Sequence, residues 1–204
     1  MQEAKRLEAK AATSLAAKIS GRPAPAYHIE PNKRYLSIRV VSIRALVDFL
    51  APKEDEFIYC SLSFLKQRFH TPAVGASAEL YFNDDEASFL FNIEDLASRT
   101  PMIDPSVLLK LNQSVHVSII KQKKNEKAIV IGTKNIDWRA VLHSNSIEIN
   151  AEVLPVDLAK TGPMCLLQLH LDLLPAMGKQ ELLSEEAVTK QISLERKFEQ
   201  ESLQ

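Results

Sequence analysis

Apolar and polar positions alternate with a period of two over several short stretches of this 204-residue chain, the mark of strands with one buried face. The most regular is Cys165–Leu174. It sets Cys165, Leu167, Leu169, Leu171 and Leu173 on one face and Leu166, Gln168, His170 and Asp172 on the other. Residues 147–153 (IEINAEV) alternate as cleanly. In 34–46 (RYLSIRVVSIRAL), Leu36, Ile38 and Val40 share one face, and Tyr35, Ser37 and Arg39 share a wetter one. The alternation slips at Val40–Val41–Ser42, where a bulge restores it. Residues 57–64 (FIYCSLSF) place Ile58, Cys60, Leu62 and Phe64 together. Val115–Ile120 and Ala128–Ile131, rich in β-branched side chains, flank the polar break KQKKNEK and predict a β-hairpin with a basic tip. Residues 87–93 predict another strand, and 68–74 a short one that stops at Pro72. The pattern leaves 76–85 undecided, leaves 106–111 open between a helical turn and a loop, and makes 139–145 a turn.

The ends have a different texture. Residues 2–19 are rich in Ala, Lys and Glu, with Leu7, Ala11, Leu15 and Ile19 on one thin stripe, which predicts a helix. Gly21, Pro23, Pro25 and Pro31 break it. After Pro175 the chain turns charged again, and Ser184 is placed to cap a helix running to near residue 200. The expected organisation is a helical segment at 1–20, a Pro-containing linker at 21–33, an all-β domain at 34–175 and a C-terminal helical segment at 176–204. About eight strands with no long helix between them exclude a doubly wound parallel sheet and predict an antiparallel sandwich or barrel.

Composition narrows the chemistry. The net charge of −1 gives no global field for nucleic acid or membrane, so any electrostatic partner must meet a local patch. Two distant cysteines are no disulfide framework and suit a reducing compartment. No apolar run approaches the roughly 20 residues of a membrane span, and the N-terminus lacks the apolar core of a secretory signal. Glu3 and Glu8 argue against a mitochondrial presequence. The expectation is a soluble, cytoplasmic protein. The five histidines have no metal-ligand spacing, Cys60 reads as an inert core thiol, and no nucleophile motif or glycine-rich phosphate loop is present. Enzymatic function therefore has no support, and no metal or cofactor is implied. Trp138, the single tryptophan, reads as a core anchor with its N–H hydrogen-bonded.

Lys121, Lys123, Lys124 and Lys127, less Glu126, give the hairpin tip a charge of +3 over seven residues. Such a tip suits an acidic protein surface or anionic phospholipid, with Lys66 and Arg68 as further candidate contacts. A merely solubilising turn explains it equally well. No aromatic side chain interleaves with these lysines, which disfavours single-stranded nucleic acid.

In order and spacing the pieces resemble the C2-domain family. The likeness rests on a first strand, a loop, a second strand carrying an aromatic (Asp55–Tyr59), the segments Lys66–Thr71 and Ala87–Ile93, and the late hairpin with Ile131-Gly132. More narrowly the chain is similar to the C2 domain of the seventy-six-kilodalton centrosomal protein family. The stretches that carry this are EPNKRYLSIRVVSIRALVDFL, CSLSFLKQRFHTPAV, NIDWRAVL and EEAVTKQISLERK, from Glu30 to Lys197. The resemblance implies an eight-stranded antiparallel C2-like β-sandwich with helical flanks. It also implies a protein-interaction part of a centrosomal or ciliary scaffold, acting at the centriole or basal body in the control of centriole duplication. Partners would be other centrosomal or ciliary proteins, with coiled-coil or helix contacts through the terminal segments. In that family the C2 domain precedes a transglutaminase-like region, absent from this sequence, so the chain is expected to be a fragment or a shorter relative. Calcium-binding C2 domains ligate through the loop after the first strand and the late hairpin loop. Here the first holds Asp48, Glu54 and Asp55 at irregular spacing and the second holds four lysines. A hard dication needs about 6–8 oxygens, mostly anionic, so no calcium is expected.

Overall fold

The computed structural model describes residues 29–30, 33–46, 55–93, 104–157 and 161–202. The helix expected at 2–19, most of the linker and the loop carboxylates Asp48 and Glu54 lie outside them. Among the described residues, ten antiparallel strands form one curled sheet. They are β1 Tyr35–Ala45, β2 Glu56–Phe64, β3 Gln67–His70, β4 Val74–Gly75, β5 Glu79–Tyr81, β6 Ser88–Asn92, β7 Val115–Lys123, β8 Ile129–Ile136, β9 Ser146–Pro155 and β10 Cys165–Leu174. The order is β3-β2-β7-β8-β9-β10-β1-β5, with β4 on β2 and β6 on β1. The expected eight strands become ten because the undecided stretch supplies β5, and β4 is only two residues long. Strands that short carry no period to read.

The curl folds the sheet onto itself as a sandwich. Inward side chains of β1, β2, β6, β7 and β10 make one core, with Leu36, Ile38, Ile58, Leu62, Phe91, Ile119 and Leu171 fully buried. The predicted faces of β10 hold along its whole length. The bulge falls between Val40 and Ser42, where the pairing with β10 shifts. Trp138 is buried with its ring edge-on to Phe64 at 5.7 Å, and its Nε1 donates to the Gln113 carbonyl at 2.8 Å.

One expectation fails. The wetter face of β1 is buried: Tyr35, Ser37 and Arg39 are each under a tenth exposed. β1 lies between β10 on one side and β5 and β6 on the other, so no edge of it reaches solvent. The Arg39 guanidinium lies along the sheet to Asp84 at 3.3 Å rather than projecting into water.

Helices close the end of the sandwich remote from the hairpin tip. A short helix, Pro105–Leu109, resolves the open 106–111 stretch; Asp104 caps it by accepting from the Ser106 N–H at 2.8 Å. Residues 138–143 form a 3-10 helix in the predicted turn. The C-terminal helix Glu185–Ser202 begins as expected, with Ser184 Oγ accepting from the Ala187 N–H at 3.2 Å. Glu185 and Glu186 in its first turn favour the positive end of its dipole. Val188 is buried and Ile192 packs against the core. No described helix is long and apolar enough to cross a membrane.

Candidate functional site

The β7–β8 hairpin is tied down at its tip. Asn125 takes a positive φ of 66°, the left-handed conformation that asparagine tolerates in a turn, and the Glu126 N–H donates to the Lys123 carbonyl at 3.0 Å. The Lys124 N–H donates to the Asp55 carbonyl at 3.0 Å, which fixes the tip against the start of β2. The start of β2, the β7–β8 turn, the end of β9 and the start of β10 therefore lie at one end. Glu56 pairs with Lys123, Pro155 with Gly132, and Cys165 with both Val153 and Ala45.

The register divides the four tip lysines. Lys121 pairs with Ile58, a core residue, so its side chain points inward between the sheets, and its Nζ meets the buried Glu56 carboxylate at 2.6 Å. Lys123 pairs with Glu126 at 3.1 Å on the surface, and that hydrogen bond holds its pKa above the ordinary value. An exposed pair of this kind contributes little to stability. Lys124 and Lys127 remain as exposed charges, beside Ile129, which is 62% exposed. Lys66 and Arg68 are exposed too, but they lie at the turn and strand that follow Phe64, the far end of β2. β2 has nine residues, so roughly 26 Å separates them from the tip. The six candidate cations are two patches, not one. Asp55 is exposed at the tip, and among the described residues no three His, Cys, Asp or Glu side chains converge as a metal site.

At the opposite end a buried ion-pair network joins elements distant in sequence. The Arg139 Nε and Nη2 donate to both carboxylate oxygens of Asp137, at 3.0 and 2.8 Å. Its Nη1 donates to the Leu109 carbonyl at 2.9 Å and meets Glu195 of the C-terminal helix at 2.6 Å. Asp137, chiefly, raises the Arg139 pKa. The network floors a cleft of about 410 Å³ lined by Ser114, Asn135 and Arg196 among others. Sequence reading missed it, although Asp137 and Arg139 flank Trp138 in NIDWRAVL. An acid and a base bracketing a core tryptophan were the available signal. The cysteines are inert: burial pushes the Cys165 thiol up to about 12 and Cys60 higher still.

The model of the CEP76 C2 domain family matches residues 27–179. The human protein named Centrosomal protein of 76 kDa is 27% identical over 180 residues, covering 83% of this chain and 26% of its own length. The zebrafish (Danio rerio) protein of the same name is 30% identical over 174 residues, covering 80% of this chain and 26% of its own. The chain thus spans about a quarter of the length of the curated relatives it matches. Among solved structures, the one reported as "CC2D1B coordinates ESRCT-III activity during the mitotic reformation of the nuclear envelope" superposes with a TM-score of 0.51 at 15% identity, covering 77% of this chain and 66% of that one; it bears on the fold alone. The family match runs across the whole sandwich, from before β1 to after β10, and this chain belongs to the CEP76 C2 domain family.

Proposed function

We propose that this chain is a calcium-independent protein-interaction module of a centrosomal or ciliary scaffold, contributing to centriole or basal-body organisation and to the control of centriole duplication. Family membership supports the centrosomal setting. The single observation behind calcium independence is the inward Lys121 ammonium on Glu56 at 2.6 Å. It supplies a positive charge inside the loop end of the sandwich, where an incoming dication would be repelled and would find that carboxylate already engaged. The direct test of the setting is to express the chain as a fluorescent fusion in cells with marked centrioles. Enrichment at centrioles, lost when Leu62 and Trp138 are replaced and the fold collapses, supports the reading. Uniform distribution of the folded chain, with no centrosomal protein whose capture depends on it, rejects it.

A second reading is a peripheral membrane module binding anionic phospholipid through the tip. Exposed Ile129, two residues after the exposed Lys127 and opposite Lys121 in the register, favours it, because an apolar side chain next to lysines suits a lipid headgroup boundary. Flotation with phosphatidylserine vesicles decides it. Under this reading the chain floats and Lys124→Glu/Lys127→Glu does not. No flotation of the parent chain removes it.

A further inference from the structure

The C-terminal helix Glu185–Ser202 has more apolar surface than its contact with the sandwich uses. One face turns inward: Val188 is buried, Ile192 packs against the core and Glu195 meets Arg139. Beside that face runs a second row, Ala187, Gln191, Leu194 and Phe198, at intervals of four, three and four residues. This is the spacing by which one helix packs along another. Leu194 is 42% exposed and Phe198 65%. The row is short, so its occupant needs only about three turns of helix.

The chain itself supplies such a segment. Residues 2–19, outside the described residues, carry the stripe Leu7, Ala11, Leu15 and Ile19, which also spans about three turns. An Ala-rich helix of this length is marginal alone in water and needs an apolar surface to settle on. The tether leads to that surface. The Arg34 guanidinium, buried where β1 begins, meets Glu181 at 3.6 Å, and the Leu183 N–H donates to the Leu142 carbonyl at 3.0 Å just before the Ser184 cap. The described chain therefore starts beside the segment that leads into the C-terminal helix. Ten residues take the chain from Ile19 to Ile29, a reach of up to about 35 Å, while Leu194 lies ten residues past the cap, about 15 Å along the axis. Charge is complementary as well: residues 2–19 hold four basic and two acidic side chains, and residues 185–202 hold three basic and five acidic.

We propose that residues 2–19 dock as a helix along Ala187, Gln191, Leu194 and Phe198, antiparallel to the C-terminal helix. The direction follows from the tether, which holds Ile19 near the start of that helix. Ile19 then faces Ala187, Leu15 faces Gln191, Ala11 faces Leu194 and Leu7 faces Phe198. Lys18 comes beside Glu185 and Glu186, Glu8 beside Lys197, and Lys5 beside Glu201, pairs that set direction more than they stabilise. The proposal rests on the helix row and the tether and not on the centrosomal reading. Hydrogen exchange of the full chain, read by mass spectrometry, tests it. The expected result is amide exchange in residues 5–19 slowed at least about tenfold relative to a synthetic peptide of residues 1–20. Leu194→Glu/Phe198→Glu, at exposed positions, returns it to the rate of the peptide, and Ser193→Glu, off the row, leaves it slowed. Unchanged fluorescence of the buried Trp138 certifies the sandwich of each variant. The slowing is the same at about 5 and about 200 µM, because the contact lies within one chain. Exchange at the rate of the peptide in the parent chain overturns the proposal. So does slowing that survives Leu194→Glu/Phe198→Glu, or slowing that grows with concentration, the mark of a second copy on the row.

Discussion

Replacing Arg139 by Met removes a cation that three elements share. The guanidinium is buried, and it engages both oxygens of Asp137, the Leu109 carbonyl and Glu195 of the C-terminal helix. Methionine fills much of the volume, so the cost comes from the carboxylates left behind. Removing one partner of a buried pair costs about 3–5 kcal/mol. The Asp137 and Glu195 side chains keep 17% and 18% exposure, so water relieves part of this. The expected loss is about 3 kcal/mol, near the lower bound of that range. At roughly 2–4 °C per kcal/mol for a domain of this size, the melting temperature falls by about 6–12 °C. Urea denaturation followed by circular dichroism measures the first quantity and a thermal scan the second. Hydrogen exchange should also speed up in residues 185–202, because the C-terminal helix loses its polar anchor while Val188 and Ile192 still pack. Glu195→Gln should cost less, since Asp137 still neutralises the arginine. The control is Lys123→Met, which breaks the exposed pair with Glu126 and should change stability by under about 1 kcal/mol. If Arg139→Met costs no more than this control, the network is not what holds the helix.

Gly132→Ala tests the close approach of β8 and β9: an added Cβ would run into the Met164 sulfur and lie 2.9 Å from Val153 Cγ1. The expected cost is about 1–3 kcal/mol by urea midpoint, and an unchanged midpoint would contradict the packing described. Asp172→Asn tests the polar row on the outer face of β10. Burial raises the Asp172 pKa, but hydrogen bonds from His170 and Ser146 and the charges of His170 and Arg39 outweigh it, so the net shift is downward. A depressed carboxyl pKa contributes stability that is fully present above the unfolded value of about 4 and is lost as pH falls through the folded value. The stability gap between the parent chain and Asp172→Asn should be constant at neutral pH and shrink below about pH 4. A gap that widens on acidification would reverse the sign of the argument.

Much of the fold was legible because half-buried strands write their faces into the sequence. β10 alternates without a break since its inner face meets the core throughout, and the slip at Val40–Ser42 is a real shift of register. Trp138 was legible because an indole can be buried cheaply only if its N–H finds an acceptor, here the Gln113 carbonyl. The outer face of β1 was not, because Tyr35, Ser37 and Arg39 are covered by virtue of which strands flank them, a fact of topology and not of period. The candidate site was half legible. The basic tip is where it was expected, but only cross-strand register shows that Lys121 turns inward to Glu56 while Lys124 and Lys127 stay exposed. Register likewise separates Lys66 and Arg68 from the tip. The Arg139–Glu195 pair joins segments with no local pattern in common.

The loop end of this C2 domain is proposed to work without calcium because its inward cation is Lys121 on Glu56. Isothermal titration of calcium into the full chain tests it most directly. The expected result is no binding heat up to about 1 mM calcium, the weak end of protein calcium sites. A saturable site of micromolar affinity would contradict it.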